Sequence, residues 1–240
     1  MQGLMLSTNP SDYPASGANA FANLTEKDRH KLATVTNIET AQAGETLFYE
    51  GDPANHLIEV IEGVVKLYKL LPDGRCQITG WIFPGQFGGL TPVGTYGQSA
   101  EAVTNVRICR YNRAQLDRLV DDMPGLGRRL LDITCTDLAS AQNQILWLGR
   151  KTAMERVASF LLHLSDQAER RNGNPTALHL PMRRCDIADY LGLTLETVSR
   201  MFSRLQAMRV IKISAQGRDV RVDVDRLADL AEGDEEIRFH

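Results

Sequence analysis

Glycine divides the first half of this chain at a regular interval. Gly51, Gly63, Gly74 and Gly85 are spaced 12, 11 and 11 residues apart, each inside a turn signal: Gly51-Asp52-Pro53, Glu62-Gly63, Pro72-Asp73-Gly74 and Pro84-Gly85. Short apolar runs lie between them, at Leu57–Ile61, Val64–Leu70 and Cys76–Phe83. Turn signals repeating about every 8–12 residues predict an antiparallel sandwich or barrel over Glu39–Arg110. A generic β domain with no ligand has the same pattern.

A long helical stretch follows, from about 123 to 149, with Pro124 suited to its first turn. Leu131, Leu138 and Ile145 recur every seven residues, as do Thr134, Ala141 and Leu148. The two sets interleave as the a and d positions of a heptad, and small Thr134 and Ala141 allow two helices to approach closely. A seam this narrow, over more than two heptads, favours a partner helix. These six residues are therefore predicted to form a dimer interface. The alternative is that the same face packs on the chain's own β domain.

Gly149-Arg150 reads as a break. Lys151–Arg171 reads as a second amphipathic helix, with Met154, Val157, Phe160, Leu161 and Leu164 at helical spacing. Arg171-Asn172-Gly173-Asn174-Pro175 is a loop signal, and His179–Met182 reads as a short strand. From Arg183 the spacing changes to that of two short helices. Ile187, Ala188 and Leu191 share one side of the first, Gly192 makes the turn, and Thr194 caps the second. Val198, Phe202, Leu205 and Met208 then fall where they bury together. Helix, glycine-containing turn, helix is the helix-turn-helix design, whose second helix puts its first turn into the DNA major groove.

Leu195, Glu196, Ser199, Arg200 and Ser203 are left facing outward. Arginine donates two bonds to guanine O6 and N7, glutamate accepts from cytosine N4, and an apolar side chain meets the thymine methyl. Leu195, Glu196, Ser199 and Arg200 are accordingly assigned to base reading. Arg184, Thr194, Thr197 and Ser203 are assigned to the sugar-phosphate backbone. A solvated helix with an i,i+4 Glu196–Arg200 ion pair is the plainer reading, and such a pair also prepositions Arg200. Val210–Ile213, Gln216-Gly217-Arg218 and Val220–Val224 read as a hairpin wing, with Arg218 at its tip beside phosphate or simply solvated. Leu227–Leu230 reads as a short terminal helix and Glu232–Glu236 as a solvated acidic tail.

Composition adds limits. The chain has 240 residues, 43% of them hydrophobic, and a net charge of −3. Within Arg183–Lys212, six cations face three acids, so this window is +3 and the remainder about −6. That polarisation suits a nucleic-acid partner. No apolar run approaches the ~18 residues of a membrane span, and the N-terminus does not resemble a secretory signal. Cys76, Cys109, Cys135 and Cys185 are scattered, as expected of reduced thiols in a cytoplasm. His30, His56, His163, His179 and His240 are too dispersed for the metal cluster of a cupin-type enzyme, so no enzymatic activity is expected. Residues 1–23, rich in Ser, Ala, Asn and Pro, read as an arm, and Leu24–Asp28 opens a short helix capped by Thr25. The predicted fold is α+β: an antiparallel β-roll over 24–122, a dimerisation helix over 123–149 and a winged helix-turn-helix over 150–240.

The glycine-punctuated roll, long helix and winged helix-turn-helix together resemble the CRP/FNR family of bacterial regulators, and within it the FixK branch. The resemblance runs from about Leu24 to the C-terminus. Leu195-Glu196-Thr197-Val198-Ser199-Arg200 is similar to the family's E-x-x-S-R reading motif. It implies a homodimer on a two-fold TTG-N-CAA-type site, with Glu196, Ser199 and Arg200 reading bases. It also implies RNA polymerase as a second partner, touched through a loop near Arg171–Ala177. The branch implies activation of genes for low-oxygen respiration, denitrification or nitrogen fixation.

The departures matter as much. Nucleotide-binding members carry G-E-L and R-S-A where this chain has Gly88-Gly89-Leu90 and Gln98-Ser99-Ala100. The acid for the ribose and the arginine for the cyclic phosphate are both absent, so no cyclic nucleotide is expected. Residues 1–75 contain no cysteine, which removes the N-terminal ligands of the family's iron–sulfur cluster. His56 and His163 have no motif that supports haem. No cofactor is expected. A repressor gated by some other small molecule in the roll stays open. Cys185 follows Arg183-Arg184 near a helix start, where cations and the helix terminus lower a thiol's pKa. Its oxidation would put negative charge beside DNA, making it a candidate redox off-switch. An inert small core residue is the alternative, since free cysteine is commonly buried.

Overall fold

The apolar runs of the first half form strands whose side chains point to opposite faces in turn. They are β1 (Thr36–Ala41), β2 (Thr46–Phe48), β3 (His56–Glu62), β4 (Val65–Leu70), β5 (Cys76–Ile82), β6 (Phe87–Gly88), β7 (Ser99–Ala102) and β8 (Val106–Asn112). Two antiparallel sheets result, ordered β1-β8-β3-β6 and β2-β7-β4-β5. The structure is a computed structural model that describes residues 30–233, Ala33 and Val93 excepted, with backbone only at 171 and 172. The expected arm over 1–23, the helix start at Leu24–Asp28 and the tail past Gly233 lie outside the described residues.

The sheets close on each other. Ile58, Val60 and Ile108 of one meet Val65, Ile82, Ala100 and Ala102 of the other, all buried. Each large side chain removed from water in this way contributes about 1.5–3 kcal/mol. The outer face of the first sheet carries Ile38, Leu57, Phe87, Cys109 and Tyr111. Leu116 of α1 (Arg113–Asp122) and Leu126 of α2 (Pro124–Arg150) cover it. Glu59, only 4% exposed, lies in this layer and accepts the Tyr111 hydroxyl at 2.5 Å. The turn glycines do what their spacing implied. Gly63 is the tightest case: its φ is 85°, and a Cβ there would collide with the Asn105 carbonyl and the Thr104 hydroxyl.

The described chain divides into two compact units between Ser140 and Ala141, inside α2. In the second unit α3 (Ala153–Asn172) is the central element. Thr152 caps it, and Glu155 returns the bond to the Thr152 N–H at 3.1 Å. Met154, Val157, Phe160, Leu161 and Leu164 are all buried, as their spacing predicted. Around them lie β9 (Ala177–His179), α4 (Arg184–Leu191), α5 (Leu195–Ala207), β10 (Ile211–Ile213), β11 (Asp219–Val222) and α6 (Val224–Glu232). The three strands form one antiparallel sheet, ordered β10-β11-β9.

Several details differ from expectation, each for a local reason. The strand read at His179–Met182 is Ala177–His179. Leu180 still donates to the Arg218 carbonyl at 2.8 Å, but Pro181 has no N–H to continue the ladder. The helix read at Leu227–Leu230 runs from Val224 to Glu232, because Asp223 ends the strand and caps the helix through the Arg226 N–H. Gly149 does not break α2, which continues to Arg150 and stops where Thr152 starts the next helix. Met208 is only half-buried and forms the C-terminal cap of α5.

Along α2, Leu131, Leu138 and Ile145 are 61%, 58% and 71% exposed, and Thr134 and Ala141 are exposed beside them. Leu148 is half-buried, its Cδ2 lying 3.3 Å from where a Cβ on Gly192 would sit. Its side chain is therefore partly used within its own unit.

Candidate nucleic-acid interface

The reading motif is set by local capping before any partner arrives. Gly192 ends α4 in the left-handed region, φ 60°, and both Gly192 and Leu193 donate to the Ala188 carbonyl. Thr194 then starts α5, its hydroxyl accepting the Thr197 N–H at 3.2 Å. Val198, Phe202 and Leu205 are buried on the inner side. The opposite side consequently presents Leu195, Glu196, Ser199, Arg200 and Ser203, all exposed, as one continuous face.

The polar detail differs in one respect from expectation. Glu196 and Arg200 do not pair directly. The Arg200 guanidinium donates instead to the Thr197 hydroxyl at 3.3 Å. The Glu196 carboxyl is held below the ordinary range first by its own backbone N–H, then by the Thr194 hydroxyl, with the charge of Arg200 a smaller cause. Glu196 is therefore ionised and acceptor-only at neutral pH, the state that cytosine N4 requires. Ser203 donates back to the Ser199 carbonyl at 3.1 Å, which leaves its oxygen free to accept.

Other assigned residues divide by environment. Arg218 is exposed at the wing tip, and Thr197 is half-buried. Thr194 is occupied by its cap. Arg184 is half-buried, with its guanidinium 3.6 Å from the centroid of the Phe202 ring. This cation–π contact ties α4 to α5, and burial lowers the guanidinium's pKa while leaving it charged. Cys185 is half-buried at the second position of α4. Beside it, Asp186, 4% exposed, accepts from both the Arg183 N–H and its guanidinium at 2.9 and 3.2 Å.

One residue that holds the motif was not legible beforehand. Arg156 donates to three carbonyls: Lys151 from Nε at 2.9 Å, Leu191 from Nη1 at 3.0 Å and Leu148 from Nη2 at 2.9 Å. Leu148 and Leu191 lie in the last turns of α2 and α4, where carbonyls lack intrahelical partners. One guanidinium thus joins the end of the long helix to the turn of the reading motif. Gln144 adds a bond to the Tyr190 carbonyl at 3.3 Å. Tyr190 packs on the Phe160 ring, centroids 5.6 Å apart, and burial pushes its phenol up to about 12. No local pattern announces such contacts, because the acceptors are brought together only by packing. His163, considered for haem, instead sets its ring edge-on to Trp147 at 6.0 Å, and burial lowers its pKa.

In the roll, the residues at the two nucleotide-binding positions do not fit an anionic nucleotide. Gly89 has φ 84°, and a Cβ there would lie 3.1 Å from both the His56 carbonyl and the Tyr96 ring. An acid at that position would need a different backbone. Gln98, where an arginine would face the phosphate, is neutral and accepts the Thr79 hydroxyl at 2.6 Å. The Ser99 hydroxyl accepts the Glu50 N–H at 3.0 Å.

Comparison with known proteins agrees with this architecture. Residues 155–230 match the Crp-like helix-turn-helix domain, and residues 38–123 match the cyclic nucleotide-binding domain. The chain is 43% identical over 173 residues to the transcriptional activatory protein AadR of Rhodopseudomonas palustris, covering 72% of each. It is 43% identical over 171 residues to the nitrogen fixation regulation protein FixK of Bradyrhizobium diazoefficiens, covering 71% of this chain and 72% of that one. Among solved structures, FixK2 from Bradyrhizobium japonicum superposes with a TM-score of 0.76 at 37% identity, over 82% of this chain and 97% of that one. Among the described residues, no helix is long and apolar enough to cross a membrane. The chain belongs to the CRP/FNR family of bacterial transcription regulators, in its FixK-like branch.

Proposed function

We propose that this protein is a transcription activator that binds a palindromic TTG-N-CAA-type site as a homodimer, without cyclic nucleotide or iron–sulfur cluster, and contacts RNA polymerase. The observation that carries the reading is the outer face of α5, where Leu195, Glu196, Ser199 and Arg200 are exposed together on a helix anchored by three buried side chains. The apolar stripe on α2 supports the homodimer. Leu131, Leu138 and Ile145 are large apolar groups left in water along one line, as a coiled-coil seam requires. Activation is supported by the likeness to the activatory protein AadR, and a role in nitrogen-fixation genes by the likeness to FixK. A role in low-oxygen respiration or denitrification rests on the family resemblance.

A gel shift with purified protein and a TTG-N-CAA duplex tests the reading. Binding without additives is the expected result, and a requirement for an added small molecule would favour a ligand-gated repressor instead. In the same assay, Arg218→Ala weakens binding to all sequences alike and lowers the salt slope by about 0.9 per lost phosphate contact.

Cys185 is proposed as the redox control point, supported by its partial exposure one residue after Arg184. Each equivalent of hydrogen peroxide transfers one oxygen to sulfur and leaves as water, so two equivalents convert the neutral thiol to a sulfinate and release its proton to solvent. The new negative charge in the first turn of α4, next to Arg184, opposes phosphate. Peroxide should abolish the shift of the wild type and spare Cys185→Ser; equal loss in both would refute the switch.

A further inference from the structure

The three-stranded sheet of the second unit buries one face and exposes the other. Leu178, Ile211, Val220 and Val222 are buried and turn inward. Ala177, His179, Lys212, Asp219 and Arg221 alternate with them and are exposed. The register sets Lys212 directly opposite Arg221. Directly opposed residues of an antiparallel pair have Cβ atoms about 4.5–5.5 Å apart, and like charges there are destabilising. Neither cation makes an ion pair among the described residues. Asp219 on the same face is already bonded to His179 Nδ1, its own register partner, at 2.8 Å. The two cations flank an open groove of about 420 Å³ lined by all three strands.

We propose that Lys212 and Arg221 form a second phosphate-binding seat, which takes the DNA backbone outside the half-site read by α5. Charge complementarity and continuity argue for DNA over an acidic protein segment. β10 begins four residues after α5 ends, and β11 starts at the residue after Arg218. Arg221 is three residues from Arg218, about 10 Å along an extended strand. That length matches about three base-pair steps at 3.4 Å. The hairpin therefore carries exposed cations from its tip back along its outer face, and a strand of DNA leaving the half-site can follow them. The close approach of two cations is then an arrangement completed by phosphate. The proposal rests on α5 facing DNA.

The test compares full-length wild type and K212Q/R221Q on two TTG-N-CAA duplexes. One ends at the outer edges of the half-sites, and the other extends about one helical turn, roughly 10 base pairs, on each side. On the long duplex the variant should bind at least about tenfold more weakly near 0.1 M salt. Its salt slope should be less steep by about 3.6 per dimer, or 0.9 for each of four phosphates. On the short duplex the two proteins should be indistinguishable. Equal affinity on the long duplex, or equal loss on both, would overturn the proposal. So would unchanged DNA binding with lost activation in a reconstituted transcription reaction, which would assign the pair to an acidic protein surface. The thermal midpoint should be unchanged or raised, since a like-charge pair is removed. If the double variant fails to fold, K212Q and R221Q singly should each lower the slope by about half as much. Failure of the wild type to bind even the short duplex would instead overturn the reading of α5 on which this rests.

Discussion

Arg200→Ala removes most site-specific DNA binding while leaving the protein folded. The Arg200 side chain is exposed and its one side-chain hydrogen bond among the described residues, to the Thr197 hydroxyl, is 3.3 Å long. Its removal therefore costs little stability, well under 1 kcal/mol for a surface position of this kind. At the interface the loss is larger. A bidentate arginine–guanine pair contributes about 1–3 kcal/mol of discrimination, and a two-fold site loses two of them. The expected loss is about 2–6 kcal/mol per dimer, or roughly 30-fold to 10⁴-fold in affinity. A competition shift against duplexes substituted at each base pair should show preference vanishing at one position of each half-site and persisting at the others. Circular dichroism and the thermal midpoint should match the wild type. Wild-type affinity and preference in the variant would mean that α5 does not read bases through Arg200.

The second large effect is on stability. Arg156→Ala leaves the carbonyls of Leu148, Lys151 and Leu191 without the donors that now reach them at 2.9–3.0 Å. A hydrogen bond to a charged group contributes about 1.5–3 kcal/mol, and partial exposure lets water replace some of it. An overall loss of about 3–5 kcal/mol follows, a large share of the 5–15 kcal/mol typical of a domain. Arg156→Lys should recover less than half of the loss. An ammonium is a point charge and cannot span three carbonyls as the planar guanidinium does. Urea denaturation measures both. DNA affinity of the alanine variant should also fall, because the Leu191 carbonyl borders the Gly192 turn that aims α5. If both variants unfold at the wild-type urea midpoint, Arg156 is not the clamp described here.

The two effects differ in how far they were legible beforehand. Arg200 is recognisable from its neighbours alone. Val198, Phe202 and Leu205 fix which side of α5 is buried, and Thr194 fixes where the helix starts. Both are facts about residues within one or two helical turns, and the structure keeps them. Arg156 has no such local signal. Its three acceptors lie 8 residues before it, 5 before it and 35 after it, and a helical arginine between Met154 and Val157 looks like a solvated surface group. The Glu196–Arg200 ion pair of the plainer reading does not form, for a related reason. Two long side chains at i,i+4 have several partners within reach, and here the Thr197 hydroxyl is the nearer one for Arg200.

By itself, then, the sequence determined whatever depends on short-range backbone chemistry. Glycines at Gly51, Gly63, Gly74 and Gly85 set the turns because only they adopt positive φ without strain, so the strands between them had to be short. Heptad spacing set a long helix with an apolar line, and capping residues set the two helices of the reading motif. Tertiary structure alone decided which polar groups meet across those elements. It placed Arg156 under two helix ends, half-covered Leu148 beside Gly192, stacked Arg184 on Phe202 and set Lys212 opposite Arg221. The physical reason is that strand register and helix docking are chosen by the whole buried surface. A side chain's own neighbours in the chain carry no information about which distant carbonyl, ring or charge that choice brings within reach.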